Sequence, residues 1–147
     1  DAILESLAGW AGRDRRARGT HRTLTADEVR RLVEGGLVDV APHTVTHPVL
    51  SSLSAEDQRR EIEDSRRVLE EVVGRRMESF AYPYGDKGSY DARTVAAVKD
   101  SGFSCACANE PDRVRRGADR YRLPRFVVRD WSREEFARRL DGWFRGA

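Results

Sequence analysis

The chain has 147 residues, of which 39% are hydrophobic and 35% are charged, and its formal net charge at pH 7 is +2. A chain of this length can bury a hydrophobic core as a single domain. The small net charge argues against a nucleic-acid partner, and no apolar run reaches the roughly 18 residues that a membrane-spanning helix needs. No signal peptide is visible, and because the sequence opens on Asp1 the cellular location stays open, with a lean to the cytoplasm.

The predicted elements alternate between helix and strand along the chain. Residues 10–23 are rich in arginine and have no apolar period, so we expect an exposed loop with a solvated surface. Capping residues and apolar spacing predict helices at 26–34, from 54 to about 73, at about 91–101, and after Ser132. Short apolar runs predict strands at 37–41, 78–82, 103–108 and 125–128. This alternation is typical of a parallel sheet or barrel covered by helices, and we expect residues 1–147 to form one partial domain.

Two cysteines, Cys105 and Cys107, lie two residues apart on the predicted strand 103–108. Their side chains would share one face of the strand, with Cα atoms roughly 6.5–7 Å apart, at or beyond the limit for a disulfide. We therefore favour two small buried thiols over a disulfide or a metal site.

Two histidines, His43 and His47, follow the first predicted strand, at the kind of strand end where parallel sheets carry their chemistry. In an extended chain their rings would lie about 13 Å apart, whereas a turn brings residues four apart to within roughly 6 Å, close enough to share a zinc ion. Pro42 and Pro48 bracket the pair and disfavour a long helix, so we predict a compact turn. Spacing alone leaves two alternatives open: a pair of metal ligands, or one histidine that caps a turn and one in solvent.

The second predicted strand runs into an aromatic turn, in which Pro83 and Gly85 bend the chain sharply. Tyr82 and Tyr84 can offer flat faces to the apolar faces of sugar rings, and backbone N–H groups aimed into a cleft can stabilise an oxyanion. The alternative, which the residues leave open, is an aromatic turn that fills the core.

Taken in order, HTVTH and FAYPYG resemble the second and third motifs of the polysaccharide deacetylase family, also called carbohydrate esterase family four. Thr44 occupies a Ser/Thr position that ties the loop together by hydrogen bonding in this family. The resemblance covers roughly residues 24–144, including the helix between the motifs and the Leu-Pro-Arg segment 123–125. The matching residues are His43, Thr44 and His47 in the second motif and Phe80, Pro83, Tyr84 and Gly85 in the third.

The resemblance implies a distorted, incomplete (β/α) barrel, of which this chain holds the C-terminal two thirds. It also implies a hydrolase for non-peptide carbon–nitrogen bonds that releases acetate from N-acetyl (or O-acetyl) groups of a polysaccharide or oligosaccharide. His43 and His47 would hold a divalent metal, commonly zinc, and the backbone N–H of Tyr84 would stabilise the oxyanion. The residues expected to contact the substrate are Tyr82, Pro83 and Gly85.

Part of the family's catalytic set has no counterpart in this sequence. The family's first motif, similar to Thr-Phe-Asp-Asp, supplies the general base and the third metal ligand, and it does not occur here. Ala81 stands where an arginine often orients the base, and the chain's three histidines leave no match for a C-terminal general acid. Asp91 lies near the aromatic turn but is expected to be a helix cap and not a ligand.

We therefore expect an active deacetylase of which this sequence is one part, although the chain alone lacks some of the catalytic residues. The main alternative is a catalytically inactive deacetylase-like domain that binds carbohydrate, because zinc sites usually need three or four protein ligands. A third is an unrelated interaction domain whose arginines at 13–18 meet an anionic partner. The glycan, the metal and the oligomeric state are left open.

Overall fold

The computed structural model describes residues 2–13 and 22–145. Within those ranges, no helix combines the length and the apolar composition that crossing a bilayer requires. The elements in chain order are α1 (Ala2–Trp10), α2 (Ala26–Glu34), a 3-10 helix (Leu50–Ser52), α3 (Ala55–Val73), β1 (Ser79–Ala81), α4 (Ala92–Asp100), β2 (Cys105–Cys107) and α5 (Arg133–Arg145).

The predicted helix boundaries are confirmed wherever a local capping signal defined them. Thr25 and Glu28 form the reciprocal capping box that opens α2. Ser54 accepts a backbone hydrogen bond at the start of α3, and Gly74 ends that helix in the left-handed conformation, with φ at 75°. Asp91 caps α4, as expected: its carboxylate accepts hydrogen bonds from the backbone N–H groups of Arg93 and Thr94.

A small parallel sheet lies at the centre of the fold. Strands β1 and β2 pair in parallel, with Phe80 opposite Ala106. The segment 120–123 continues beside β2, since Leu123 N–H donates to Ala106 O at 2.9 Å and Ala106 N–H donates to Arg120 O at the same distance. The parallel arrangement that the alternating pattern predicted is therefore confirmed for the two middle strands.

The predictions of the two outer strands, at 37–41 and 125–128, are wrong. The segment 37–41 is irregular: among the described residues one backbone hydrogen bond, from Ala81 N–H to Pro42 O at 3.1 Å, ties its end to β1. One such bond is not a ladder, because a strand needs repeated bonds along its length. The segment 125–128 is also irregular, since residues 120–123 already take the position beside β2.

The N-terminal part of the described chain differs from the prediction as well. Helix α1 was not predicted, and its last residue, Trp10, was assigned to the arginine-rich loop 10–23. Residues 11–13 are exposed, and residues 14–21, including His21, lie outside the described residues.

The core lies between the sheet and helices α3 and α4. Ile62 of α3 and Val98 of α4 are fully buried and cover Phe80 and Ala106 of the sheet. None of the residues of α5 is buried, although Trp143 stacks on Phe126 with ring centroids 4.2 Å apart. The remaining core residues are Leu50, Met77, Tyr82, Tyr90, Phe103 and Ala108.

Cys105 and Cys107 are free thiols, as predicted, but they are half-buried and not buried. They flank Ala106, whose side chain faces the core, so both thiols point to the opposite face of the sheet.

Candidate functional site

The loop 42–48 forms the compact turn that the two prolines predicted. Thr44 and His47 both adopt the left-handed conformation, with φ at 68° and 57°. The hydroxyl of Thr44 accepts a hydrogen bond from the backbone N–H of His47 at 3.1 Å, so the bond expected of Thr44 is present. As a result the rings of His43 and His47 meet edge to face, with centroids 4.8 Å apart.

The backbone at this site is strained. Thr44, His47 and Tyr84 are the non-glycine residues with positive φ in the described ranges, and all three belong to the two loops that form the site. Such a conformation costs about 1–3 kcal/mol per residue and is rarer still for a β-branched side chain such as threonine. It persists only where surrounding contacts hold it.

A backbone carbonyl orients the ring of His43. The Nδ1 atom of His43 lies 2.7 Å from the carbonyl oxygen of Ala81, the last residue of β1. A carbonyl oxygen only accepts hydrogen bonds, so Nδ1 is the donor, and in the neutral imidazole Nε2 is the nitrogen that keeps its lone pair. Histidines that bind metals use this arrangement, with one nitrogen bonded to the protein and the other facing the ion.

Glu61 of α3 holds the same loop from its other side. Its carboxylate accepts hydrogen bonds from the backbone N–H of Val45 at 2.7 Å, from that of Thr46 at 2.9 Å, and from the Thr46 hydroxyl at 2.6 Å. Burial acts to raise the pKa of Glu61, but these hydrogen bonds outweigh it, and the net pKa lies below its ordinary value. Hydrogen bonds to charged groups contribute about 1.5–3 kcal/mol each, enough to offset strain of the size found here. Sequence reasoning missed Glu61.

The aromatic turn places Tyr84 at the mouth of the site. Its side chain is 53% exposed, and its ring lies edge to face with that of His47, with centroids 4.8 Å apart. No backbone acceptor among the described residues takes the N–H of Tyr84. The geometry is compatible with the oxyanion role expected from the resemblance.

Tyr82 is a core residue, which corrects its predicted role. It is 1% exposed, stacks on Tyr90 with ring centroids 4.2 Å apart, and donates its hydroxyl hydrogen to Tyr121 O at 2.9 Å. Burial raises the pKa of its phenol well above the ordinary range. Tyr82 therefore forms part of the cleft wall and offers no free ring face to a sugar.

Pro83 and Gly85 are buried as well, so they shape the turn and are not in a position to touch a substrate directly. Gly85 has φ at 71°, and its N–H donates to Pro83 O at 2.6 Å. A Cβ atom at Gly85 would lie 2.7 Å from the backbone nitrogen of Asn109, closer than real Cβ atoms come. Only glycine permits this approach of the turn to the chain that follows β2.

Both loops line one open cleft of about 420 Å³. It lies at the carboxyl ends of the parallel strands, where the histidine loop, the aromatic turn and the residues after Ala108 meet. Arg125 was not predicted as a site residue; it reaches the cleft because its Nε donates to Ala108 O at 2.9 Å. The residues lining the cleft are His43, His47, Tyr82, Tyr84, Asn109, Arg125, Phe126 and Val127.

The donor set fits part of a zinc site. Two imidazoles meet with a free Nε2 on His43, which suits a soft-to-borderline divalent ion. Within the described residues, no group of three or more His, Cys, Asp or Glu side chains is close enough to hold a metal. Asp39, for example, pairs with Arg75 at 2.5 Å. His43 and His47 would therefore be two of the three protein ligands that a catalytic zinc site usually has.

Comparison with known proteins decides the family. The sequence model described as "Polysaccharide deacetylase" matches residues 8–106, which is more than half of the chain. The chain belongs to the polysaccharide deacetylase family. Membership agrees with the motifs at His43, His47 and Tyr84, all of which lie within the matched residues.

Individual members of the polysaccharide deacetylase family resemble the chain over most of its length. The Bacillus subtilis (strain 168) protein named "Putative polysaccharide deacetylase YxkH" is 24% identical over 110 residues, which are 75% of this chain and 38% of that protein. A crystal structure of a Bacillus cereus polysaccharide deacetylase matches with a TM-score of 0.69 and 23% identity, over 79% of this chain and 36% of its own. The Streptococcus pyogenes deacetylase PplD, in complex with acetate, matches with a TM-score of 0.71 and 21% identity, over 82% and 52%.

These structural matches confirm the predicted fold class, the α/β barrel-type fold of the polysaccharide deacetylases. At such identities the likeness shows the fold alone. The chain spans between about a third and a half of the length of these relatives, from 36% to 52%.

Proposed function

We propose that this protein is a metal-dependent hydrolase that removes N-acetyl (or O-acetyl) groups from a polysaccharide or oligosaccharide and releases acetate. One observation carries the proposal: His43, His47 and Tyr84 line one open cleft in a chain of the polysaccharide deacetylase family. The acetate bound to the Streptococcus pyogenes deacetylase is the product that such a reaction would release.

The two histidines would hold a divalent ion, with zinc as the first candidate. His43 would bind through Nε2, because its Nδ1 is committed to the carbonyl of Ala81. His47 would be the second ligand, because the turn with its left-handed backbone brings its ring against that of His43. When bound, the ion would polarise the acetyl carbonyl and the attacking water.

The rest of the cleft would bind the sugar and stabilise developing charge. Hydrolysis adds water across the carbon–nitrogen bond, so acetate takes the oxygen and the sugar keeps an amine. The N–H of Tyr84 would donate to the oxygen that becomes negative as water adds to the carbonyl carbon. The side chains of Asn109 and Arg125 face the same cleft and suit the hydroxyl and carbonyl groups of an acetylated sugar.

The test is acetate release from N-acetylated oligosaccharides by the zinc-loaded protein, with and without chelator. We expect His43→Ala and His47→Ala to abolish release, because each removes half of the histidine ligands. His21→Ala is the matched control: it removes the remaining histidine of the chain, and we expect it to leave release unchanged. Activity retained in both ligand variants would rule out the proposal.

A second candidate is a catalytically inactive deacetylase-like domain that binds carbohydrate. The absence of a group of three metal-binding side chains in the described ranges favours it. If this candidate is correct, the protein binds oligosaccharides equally well with and without chelator, and it releases no acetate. Binding that is lost on chelation would favour the hydrolase.

A further inference from the structure

We propose that Glu61 is a positioning residue that presets His43 and His47 for a metal by holding the backbone of the loop between them. The inference rests on the proposed function, since it concerns the same two histidines. Glu61 does not line the cleft, so it acts through the loop and not on a bound ligand.

The contacts of Glu61 fall at the middle of the histidine loop. Val45 and Thr46 are two of the three residues between the histidines, and both of their backbone N–H groups donate to one carboxylate oxygen of Glu61. The Thr46 hydroxyl donates to the other oxygen at 2.6 Å. One side chain thus takes three donors from two consecutive residues, which fixes both the position and the orientation of that peptide unit.

Three contacts hold the segment 43–47, and among them only the contact from Glu61 comes from a helix. His43 is bonded to the end of β1, and the hydroxyl of Thr44 closes the turn onto His47. Neither of those contacts restrains the peptide between Val45 and Thr46. Without Glu61 that peptide could rotate, and the left-handed conformations on either side could relax toward ordinary ones.

Glu61 can act as a support because its own helix is fixed in the core. Its neighbour Ile62 is fully buried, and so is Gln58, one turn earlier on α3. Gln58 donates to Leu53 O at 3.2 Å and accepts from the Thr94 hydroxyl at 2.7 Å, so this part of α3 is tied to α4. A carboxylate mounted on such a rigid element can hold a loop within the small tolerance that metal ligands require.

The experiment measures zinc affinity by titration calorimetry and records the backbone amide proton shifts of the metal-free protein by NMR. We expect Glu61→Ala to weaken zinc binding by about 10- to 100-fold, the usual range for residues that support metal ligands. The amide protons of Val45 and Thr46 should move upfield as they lose a charged acceptor. Glu61→Gln keeps an oxygen acceptor of the same reach and should recover part of the affinity.

Two further variants make the result specific. Thr46→Val removes the hydroxyl contact alone, keeps the backbone bonds, and should weaken zinc binding less than Glu61→Ala. Glu63→Ala removes an exposed carboxylate from the same helix and should change neither zinc affinity nor the two amide shifts. A folded Glu61→Ala protein with unchanged zinc affinity and unchanged shifts would overturn the inference.

The two proposals fail in different ways. If the unsubstituted protein binds no zinc, the proposed metal-dependent function fails, and with it the metal part of this inference. The amide shifts of the metal-free protein still decide whether Glu61 holds the loop. If the unsubstituted protein binds zinc and the Glu61 variants change neither zinc affinity nor the amide shifts, the proposed function stands and this inference fails.

Discussion

The two loops that form the cleft hold unusual backbone conformations by different means. In the histidine loop, Thr44 and His47 are held by polar contacts, chiefly the carboxylate of Glu61. In the aromatic turn, Tyr84 lies between two packed residues, Tyr82 in the core and Gly85 against the next segment, and the polar contacts of Gly85 are backbone hydrogen bonds. A loop held by hydrogen bonds responds to charge, whereas a loop held by packing responds to volume.

The largest expected effect is on the packed loop. Tyr82→Ala removes a buried ring from between Tyr90 and Phe80, and we expect it to lower the free energy of unfolding by about 3–5 kcal/mol. Tyr82→Phe is the control, because it keeps the ring and loses only the bond to Tyr121 O, at a cost of about 1 kcal/mol. Urea unfolding measures both; equal losses would mean that the hydroxyl, and not the packing, holds the turn.

A somewhat smaller effect is expected where the turn approaches the chain after β2. Gly85→Ala should cost about 2–4 kcal/mol, because it adds a Cβ against the backbone of Asn109 and forces alanine into a left-handed conformation. Gly36→Ala is the matched control: its φ is 66° but nothing lies within 4 Å of the added atom. We expect it to cost only about 1 kcal/mol in the same measurement. Similar losses for both would show that close packing is not what constrains the turn.

The polar loop should show a pH dependence that the packed loop lacks. The pKa of Glu61 in the folded protein lies below its ordinary value of 4.5. The folded state therefore gains stability from this group above that value and loses it as pH falls through the folded pKa. The difference in unfolding free energy between the unsubstituted protein and Glu61→Gln should shrink as pH is lowered from 6 toward 3, whereas the effect of Tyr82→Phe should stay constant. A difference that grows on acidification would contradict the assigned hydrogen bonds.

The smallest effect is expected at the turn between the histidines. Thr44→Val removes the hydroxyl that accepts the N–H of His47 and should cost about 1 kcal/mol. Thr44→Ser keeps the acceptor and removes the β-branch from a left-handed position, so it should be neutral or slightly stabilising. Thermal unfolding compares the two; a serine variant as unstable as the valine variant would assign the cost to shape and not to the hydrogen bond.

Much of this site was predictable because its signals are local. The capping boxes at Thr25 and Asp91, the stop at Gly74 and the turn around His43 and His47 depend on residues within a few positions of one another. Local side-chain and backbone preferences act over that range, so the sequence carries them directly. The family motifs lie in the same short segments.

Contacts between distant segments could not be predicted in this way. Glu61 looks like any other acidic residue of a long helix until the fold brings it to Val45 and Thr46. The outer predicted strands failed for the same reason, since a short apolar run becomes a strand only if a partner accepts its ladder of hydrogen bonds.

The sequence by itself determined the family, the limits of the four helices with local capping signals, and the compact turn that carries the two histidines. Only the tertiary structure decided that Tyr82 is buried, that Arg125 reaches the cleft, and that Glu61 supports the histidine loop. The physical reason is that burial and long-range hydrogen bonds depend on which surfaces meet, and the residues that meet are separated by many positions in the chain.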